Sequence, residues 1–185
     1  DSIQMFPFLD FLNLVFCESE SEYAQSRVRT FPGCHPVAVD KTNLHQICSG
    51  YVATPKADGE RVFTAILRNK KNTVVHVEVM YRNLKTTVLL TSDFDLSTCD
   101  IFVFDSELVH KSVVLIFDTI LYKSQGALMN CYRNRMEMAK VFVTSCKGGK
   151  KVFTDLGLRI LKYFYPSHHE DMQALVGYQG GIATE

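Results

Sequence analysis

The 185-residue chain has no surplus of either charge. Twenty Lys and Arg balance twenty Asp and Glu, and the sequence pI is about 7.1. That excludes a global electrostatic case for gripping a long nucleic acid. It leaves room for a local basic groove, which is all that one nucleotide or a chain end requires. The six cysteines at 17, 34, 48, 99, 131 and 146 form no C-x-x-C pair, and no His stands at zinc-finger spacing from two of them. A chain that is 46% hydrophobic does not depend on disulfide staples. The cysteines therefore read as reduced, mostly buried thiols of an intracellular protein.

Long apolar runs are missing as well. "MFPFLDFLNLVF", at residues 5–16, is shorter than the roughly 20 residues that span a bilayer. It carries Asp10 and Asn13 and has neither a basic n-region nor a small-residue cleavage site. It reads as a core or docking helix that begins after Pro7. Internal repeats, low-complexity tracts, regular βαβ alternation and G-x-G-x-x-G are all absent, which argues against a dinucleotide-binding fold.

What is present is a succession of strand-like runs at 51–54, 61–68, 73–79, 86–91, 101–105 and 112–121, with "RNKKN" as a turn between two of them. "CESESEYAQSR" (17–27) is a polar linker or exposed helix. "DKTNLHQIC" is a short helix with Asp40 as N-cap and Leu44 and Ile47 on one face. Residues 127–142 lack Gly and Pro and read as a helix. "LRILKYFY" is a strand or a short helix. "SHHEDMQALV" is a final helix with Ser167 as N-cap and Glu170 at the capping-box position. Many adjacent strands followed by helices indicate an α+β domain with mainly antiparallel sheets. We expect a helical or linker segment over 1–30 and one domain over 31–185.

The segment "YVATPKADGERVFTAIL" (51–67) carries more charge than a hairpin turn needs. Asp58-Gly59 alone would make the turn. Lys56 and Arg61 flank it. A lysine amine is a nucleophile only when unprotonated, and burial or a neighbouring cation lowers its pKa from about 10.4. Gly59 permits a sharp turn and close approach of a substrate. Arg61 can hold a phosphate or sugar oxygen with its fork of donors. These parts suit covalent attack on phosphorus. The competing reading is a charged turn with Lys56 in water.

K-x-D-G-x-R at 56–61 resembles motif I of the nucleotidyltransferase superfamily of mRNA capping enzymes and ATP-dependent polynucleotide ligases. Upstream, Phe31, Pro32, Gly33, Pro36 and Val37 match an F-P-G-x-x-P-V segment in the capping-enzyme form. Downstream, "FVFDSELV" (102–109) is similar to the third motif, usually D-G-E, and "LIFDTILY" (115–122) to the next, an aliphatic-aromatic-Asp strand. The resemblance implies a capping enzyme/ligase-like nucleotidyltransferase domain with two antiparallel sheets around a nucleotide pocket. It also implies a following OB-fold domain, which suggests that the chain is part of something longer.

The same resemblance implies roles. Lys56 would attack the α-phosphorus of GTP. Asp58 and Gly59 would shape the loop, with Asp58 as a turn cap in the plainer reading. Arg61 would contact the ribose or a neighbouring phosphate. Glu107 would hold the ribose or support a metal, although Ser106 replaces the usual Gly beside it; Asp105 and Glu107 could equally be a strand's exposed face. Phe117 would stack on the base, and Asp118 would aid a metal or cap the strand. Lys162 resembles a lysine placed near guanine O6, or is a surface lysine. Glu185 would be the acid of a fourth motif if Gly followed. Arg133 and Arg135 resemble basic residues of the family's post-motif helix but read first as helix-surface arginines, and His168 and His169, a weak pointer to metal, read as an exposed helix start.

These expectations amount to an mRNA guanylyltransferase that uses GTP with Mg2+ or Mn2+ and delivers GMP to a 5′-diphosphate RNA end. Transcription machinery or other capping subunits would be its partners, with no membrane. It would be nuclear in a cell, and nuclear or cytoplasmic if viral. An ATP-dependent ligase and a catalytically inactive scaffold are the rival readings.

Overall fold

The computed structural model describes residues 6–16, 37–38, 40–45, 57–111, 113–145 and 158–160. The chain divides into two compact units, Asp1–Pro32 with Gly59–Ile160, and Gly33–Asp58 with Leu161–Glu185. The first carries helix α1 (Phe8–Phe16), strands β1 (Glu60–Arg68), β2 (Val74–Tyr81), β3 (Thr86–Thr91), β4 (Asp100–Val109), β5 (Val113–Tyr122) and β6 (Gln125–Gly126), helix α2 (Tyr132–Ser145) and strand β7 (Leu158–Ile160).

All the strands join one sheet in the order β3-β2-β1-β4-β5-β6, with β7 also paired to β5. Every pairing is antiparallel except that of β7, which runs parallel to β5. The mainly antiparallel α+β expectation is met. The resemblance implied two sheets, whereas the described residues form one. The 51–54 strand, the 17–27 segment and the 167–176 helix lie outside the described residues.

Residues on β1 and β4 alternate between the two faces of the sheet, as a period of two requires. Phe63, Ala65, Leu67, Ile101 and Val103 share one cluster with Phe6, Phe8 and Leu12 at the N-terminal helix. Val62, Ile66, Phe102 and Phe104 share the other with Ala139 and Phe142 of α2. α1 begins directly after Pro7, whose carbonyl accepts the Phe11 N–H at 3.2 Å. Both faces of β1 and β4 are thus covered, which is why these strands read as near-continuous apolar runs.

In the second unit, the Asp40 carboxylate accepts the N–H groups of Thr42 and Asn43 at 2.7 and 3.3 Å. The turn it caps closes with Leu44 N–H donating to the Asp40 carbonyl. The rest of that expected helix, including Ile47, lies outside the described residues. The Thr42 hydroxyl and N–H hold the Asp40 carboxyl below its usual value.

Three boundaries differ from the sequence reading by more than two residues. β4 continues to Val109 instead of stopping at 105, because Ser106 and Leu108 turn into the α2 face and are buried. α2 starts at Tyr132, not 127. Ala127 is still hydrogen-bonded to Ile120, and Asn130 closes a turn on the Ala127 carbonyl. It also runs to Ser145, three residues past 142. Of the cysteines, Cys99 is half-buried and Cys131 exposed, both with free thiols; the exposed Cys131 departs from the buried expectation.

Candidate nucleotide site

The K-x-D-G-x-R segment runs directly into β1, and its last residue is the second of that strand. Asp58 is exposed, and Gly59 begins the second stretch of the first unit. A Cβ on Gly59 would lie 2.6 Å from the Leu108 carbonyl oxygen and 2.9 Å from Cγ of Glu107. Only glycine fits a backbone pressed this closely against β4. The glycine of the first motif and the acid of the third are therefore in direct packing contact.

Arg61 pairs with Glu107 across β1 and β4. Its side chain reaches one step along the same face to Asp105: Nε donates to Oδ1 at 3.1 Å and Nη2 to Oδ2 at 2.6 Å. Both partners are largely out of solvent, with side-chain exposures of 14% and 7%. Burial pushes the Asp105 carboxyl above its ordinary value, and the Arg61 fork pulls it down without cancelling that effect. The Arg61 guanidinium also sits 5.9 Å from the centre of the Phe117 ring.

Phe117 lies at an irregularity in β5. Ser106 pairs with Ile116 and Asp105 with Asp118, so Phe117 is an extra residue in the ladder. Beside it, the Asp118 carboxylate is held by Arg135 of α2, Nε to Oδ1 at 2.7 Å and Nη2 to Oδ2 at 3.3 Å. The Asp118 fork raises the Arg135 pKa further. Arg135 is half-buried, so its reading as a helix-surface arginine is corrected.

Gly59, Arg61, Glu107 and Phe117 thus gather on neighbouring strands. Asp105 is 5% exposed, which removes the reading of 105–107 as an exposed strand face. Ser106 is fully buried, and its hydroxyl donates to the Phe104 carbonyl. It alternates with Asp105 and Glu107, so its side chain does not crowd theirs. Lys56, Lys162 and Glu185 lie outside the described residues, as do His168 and His169.

Tyr132 was not singled out from sequence, and Asp105 and Arg135 were given no role at the site, only those of an exposed strand face and a helix surface. Asp105 had a signal, since it stands two residues before Glu107 and so shares its face. For a metal, Glu107 and Asp118 are the expected donors within the described residues. Both Asp118 oxygens are already engaged by Arg135. Among the described residues, no group of three His, Cys, Asp or Glu side chains is placed to hold an ion. No described helix is long and apolar enough to cross a membrane.

A mainly antiparallel sheet that brings Gly59 and Arg61, from the end of K-x-D-G-x-R, against an acidic D-x-E strand is consistent with a nucleotidyltransferase-type domain. The family described as mRNA capping enzyme, catalytic domain, matches residues 13–154, and the chain belongs to it. No curated protein matches the chain.

Proposed function

We propose that this chain is the guanylyl-transfer domain of an mRNA capping enzyme. The observation that carries the reading is the direct pairing of Arg61 with Glu107. It joins the strand that leaves K-x-D-G-x-R to the strand of the acidic motif, inside a match to the capping-enzyme family.

In this reading the unprotonated Nζ of Lys56 attacks the α-phosphorus of GTP. A P–N bond forms, the bond from the α-phosphorus to the bridging oxygen breaks, pyrophosphate leaves, and the amine gives up a proton. The terminal phosphate oxygen of a 5′-diphosphate RNA then attacks the same phosphorus. The P–N bond breaks, and Lys56 regains its proton. Arg61 and Glu107 orient the nucleotide's sugar and phosphate oxygens, Phe117 stacks on the base, and Lys162 addresses guanine O6. Asp58 and Gly59 shape the loop. A divalent ion, Mg2+ or Mn2+, would offset phosphate charge. Glu107 is the described carboxylate suited to it, and Asp118, engaged by Arg135, is not; Glu185 completes the acidic set we assign. Capping subunits or transcription machinery are the partners in this scheme, with an intracellular site of action.

The test is to incubate the protein with α-labelled GTP or ATP and a divalent metal, then run a denaturing gel beside Lys56→Ala. Label from GTP alone, lost in the variant, is the expected result. Label from ATP alone would move the protein to the ligases. Binding without any covalent label would leave a scaffold as the better account.

A further inference from the structure

The irregularity at Phe117 leaves its backbone without a regular place in the β4–β5 ladder. A carbonyl in that position must find another donor or stay unsatisfied. It finds the Tyr132 hydroxyl, which donates to the Phe117 carbonyl at 2.7 Å. Tyr132 is the first residue of α2. One turn later, Arg135 grips the next residue, Asp118, through both carboxylate oxygens. Its Nη1 donates to the Asn130 carbonyl at 2.6 Å, and its guanidinium lies 5.5 Å from the Tyr132 ring centre. The Arg135 carbonyl in turn accepts the Thr119 hydroxyl at 2.6 Å. Three consecutive residues of β5 are therefore tied to the first turns of one helix.

Ordinary packing of a helix on a sheet does not need this arrangement. Ala139 and Phe142 already bury the rest of α2 against Phe102 and Phe104. The polar ties are concentrated at the end of α2 that faces the bulge, and the bulge carries the aromatic ring beside Arg61.

We propose that Tyr132 and Arg135 are positioning residues of the nucleotide site, holding the β5 bulge so that Phe117 presents its ring to the base. This rests on the reading of Phe117 as the base platform. Neither residue touches the nucleotide; both act through the strand. The minimal perturbation is Tyr132→Phe, which keeps the ring and its packing and removes one hydroxyl. A single hydrogen bond of ordinary strength sets the expected effect at roughly three- to tenfold in affinity.

The experiment measures GTP binding to the full-length protein as wild type, Tyr132→Phe, Phe117→Ala and the double variant. Inorganic tripolyphosphate is the baseless probe. We expect Tyr132→Phe to weaken GTP binding by roughly three- to tenfold and to leave tripolyphosphate binding unchanged. In the Phe117→Ala background it should cost GTP affinity nothing further. Loss of GTP affinity in Phe117→Ala with none in Tyr132→Phe would overturn the positioning role alone. An additive double variant, or equal loss for both probes, would do the same, because a general structural defect behaves that way. Unchanged GTP affinity in Phe117→Ala, or no GTP binding by the wild type, would overturn the base-platform reading and the inference with it.

Discussion

Arg61 and Asp105 meet as fork and carboxylate across adjacent strands, 2.6 Å apart at the closer contact and largely shielded from water. Removing the carboxylate leaves a guanidinium in a setting where its charge has lost a bound counter-charge. Breaking a buried pair from one side is expensive, on the order of 3 kcal/mol. Asp105→Ala should lower unfolding stability by about that amount, read from the denaturant midpoint at an unchanged slope. A loss below about 1 kcal/mol would mean that Arg61 is satisfied without Asp105.

The same pair gives a pH dependence with a definite sign. Burial raises the folded-state pKa of Asp105 above its unfolded value, which is about 3.9. Between those two values the folded state binds more protons than the unfolded state, so stability falls as pH rises through that window. The contribution is full below the unfolded pKa and gone above the folded one. Asp105→Asn lacks this titration. Stability of wild type minus that of Asp105→Asn should therefore decline from about pH 4 upward before levelling. A difference that grows with pH would show that the Arg61 fork, not burial, dominates the carboxyl.

Gly59 offers a steric prediction. Its neighbours are a backbone carbonyl at 2.6 Å and the Glu107 side chain at 2.9 Å from the position of a Cβ. The carbonyl belongs to Leu108, which pairs with Glu60 in the β1–β4 ladder and cannot move alone. Gly59→Ala should cost about 1–3 kcal/mol of stability through overpacking. Amide exchange at Glu60 and Leu108 should quicken more than at the distant Arg68–Asp100 end. Uniform exchange along the ladder would indicate that the chain before β1 gives way instead.

How much of this was legible follows from which signals are local. β1, β2 and β5 were readable because strands largely buried on both faces select runs that are mostly apolar or β-branched, whereas the mostly exposed β3 showed only through the short β-branched and aliphatic run TTVLLT. β4 was cut short at 105 because "DSE" looks polar; its burial depends on Arg61 and α2, which are distant in sequence. The turns after β4 and β5 gave little warning, unlike RNKKN between β1 and β2. His110 and Lys111, like Lys123 and Ser124, take positive φ with no glycine, where Asn-Gly would have been the recognisable sign. The start of α2 was misplaced because residues 127–131 contain no helix breaker; tertiary hydrogen bonds to Ile120 decide their turn. At the site, motif spacing gave Gly59, Arg61, Glu107 and Phe117. The residues that fix their poses, Asp105, Tyr132 and Arg135, emerge only when β4, β5 and α2 are packed together.

Arg68 closes β1 in a setting that few arginines occupy. It is 6% exposed, with its guanidinium carbon 4.7 Å from the Phe102 ring centre and 5.5 Å from that of Phe142. Nη1 donates to the Ser145 hydroxyl at 3.1 Å, while Nε has no hydrogen-bond partner among the described residues. No described carboxylate forms an ion pair with it. The ring faces offset part of the cost of burying the cation, by about 2 kcal/mol at most. An unmet buried donor costs about 1–3 kcal/mol in the other direction. Methionine has a similar reach, no charge and no donor to satisfy. Arg68→Met should therefore leave stability unchanged or raise it by about 1 kcal/mol. Arg68→Ala, which opens a cavity between the two rings, should lower it by about 2 kcal/mol. Denaturant unfolding of both variants decides the matter. Equal losses for Met and Ala would show that the charge itself holds this end of the sheet to α2.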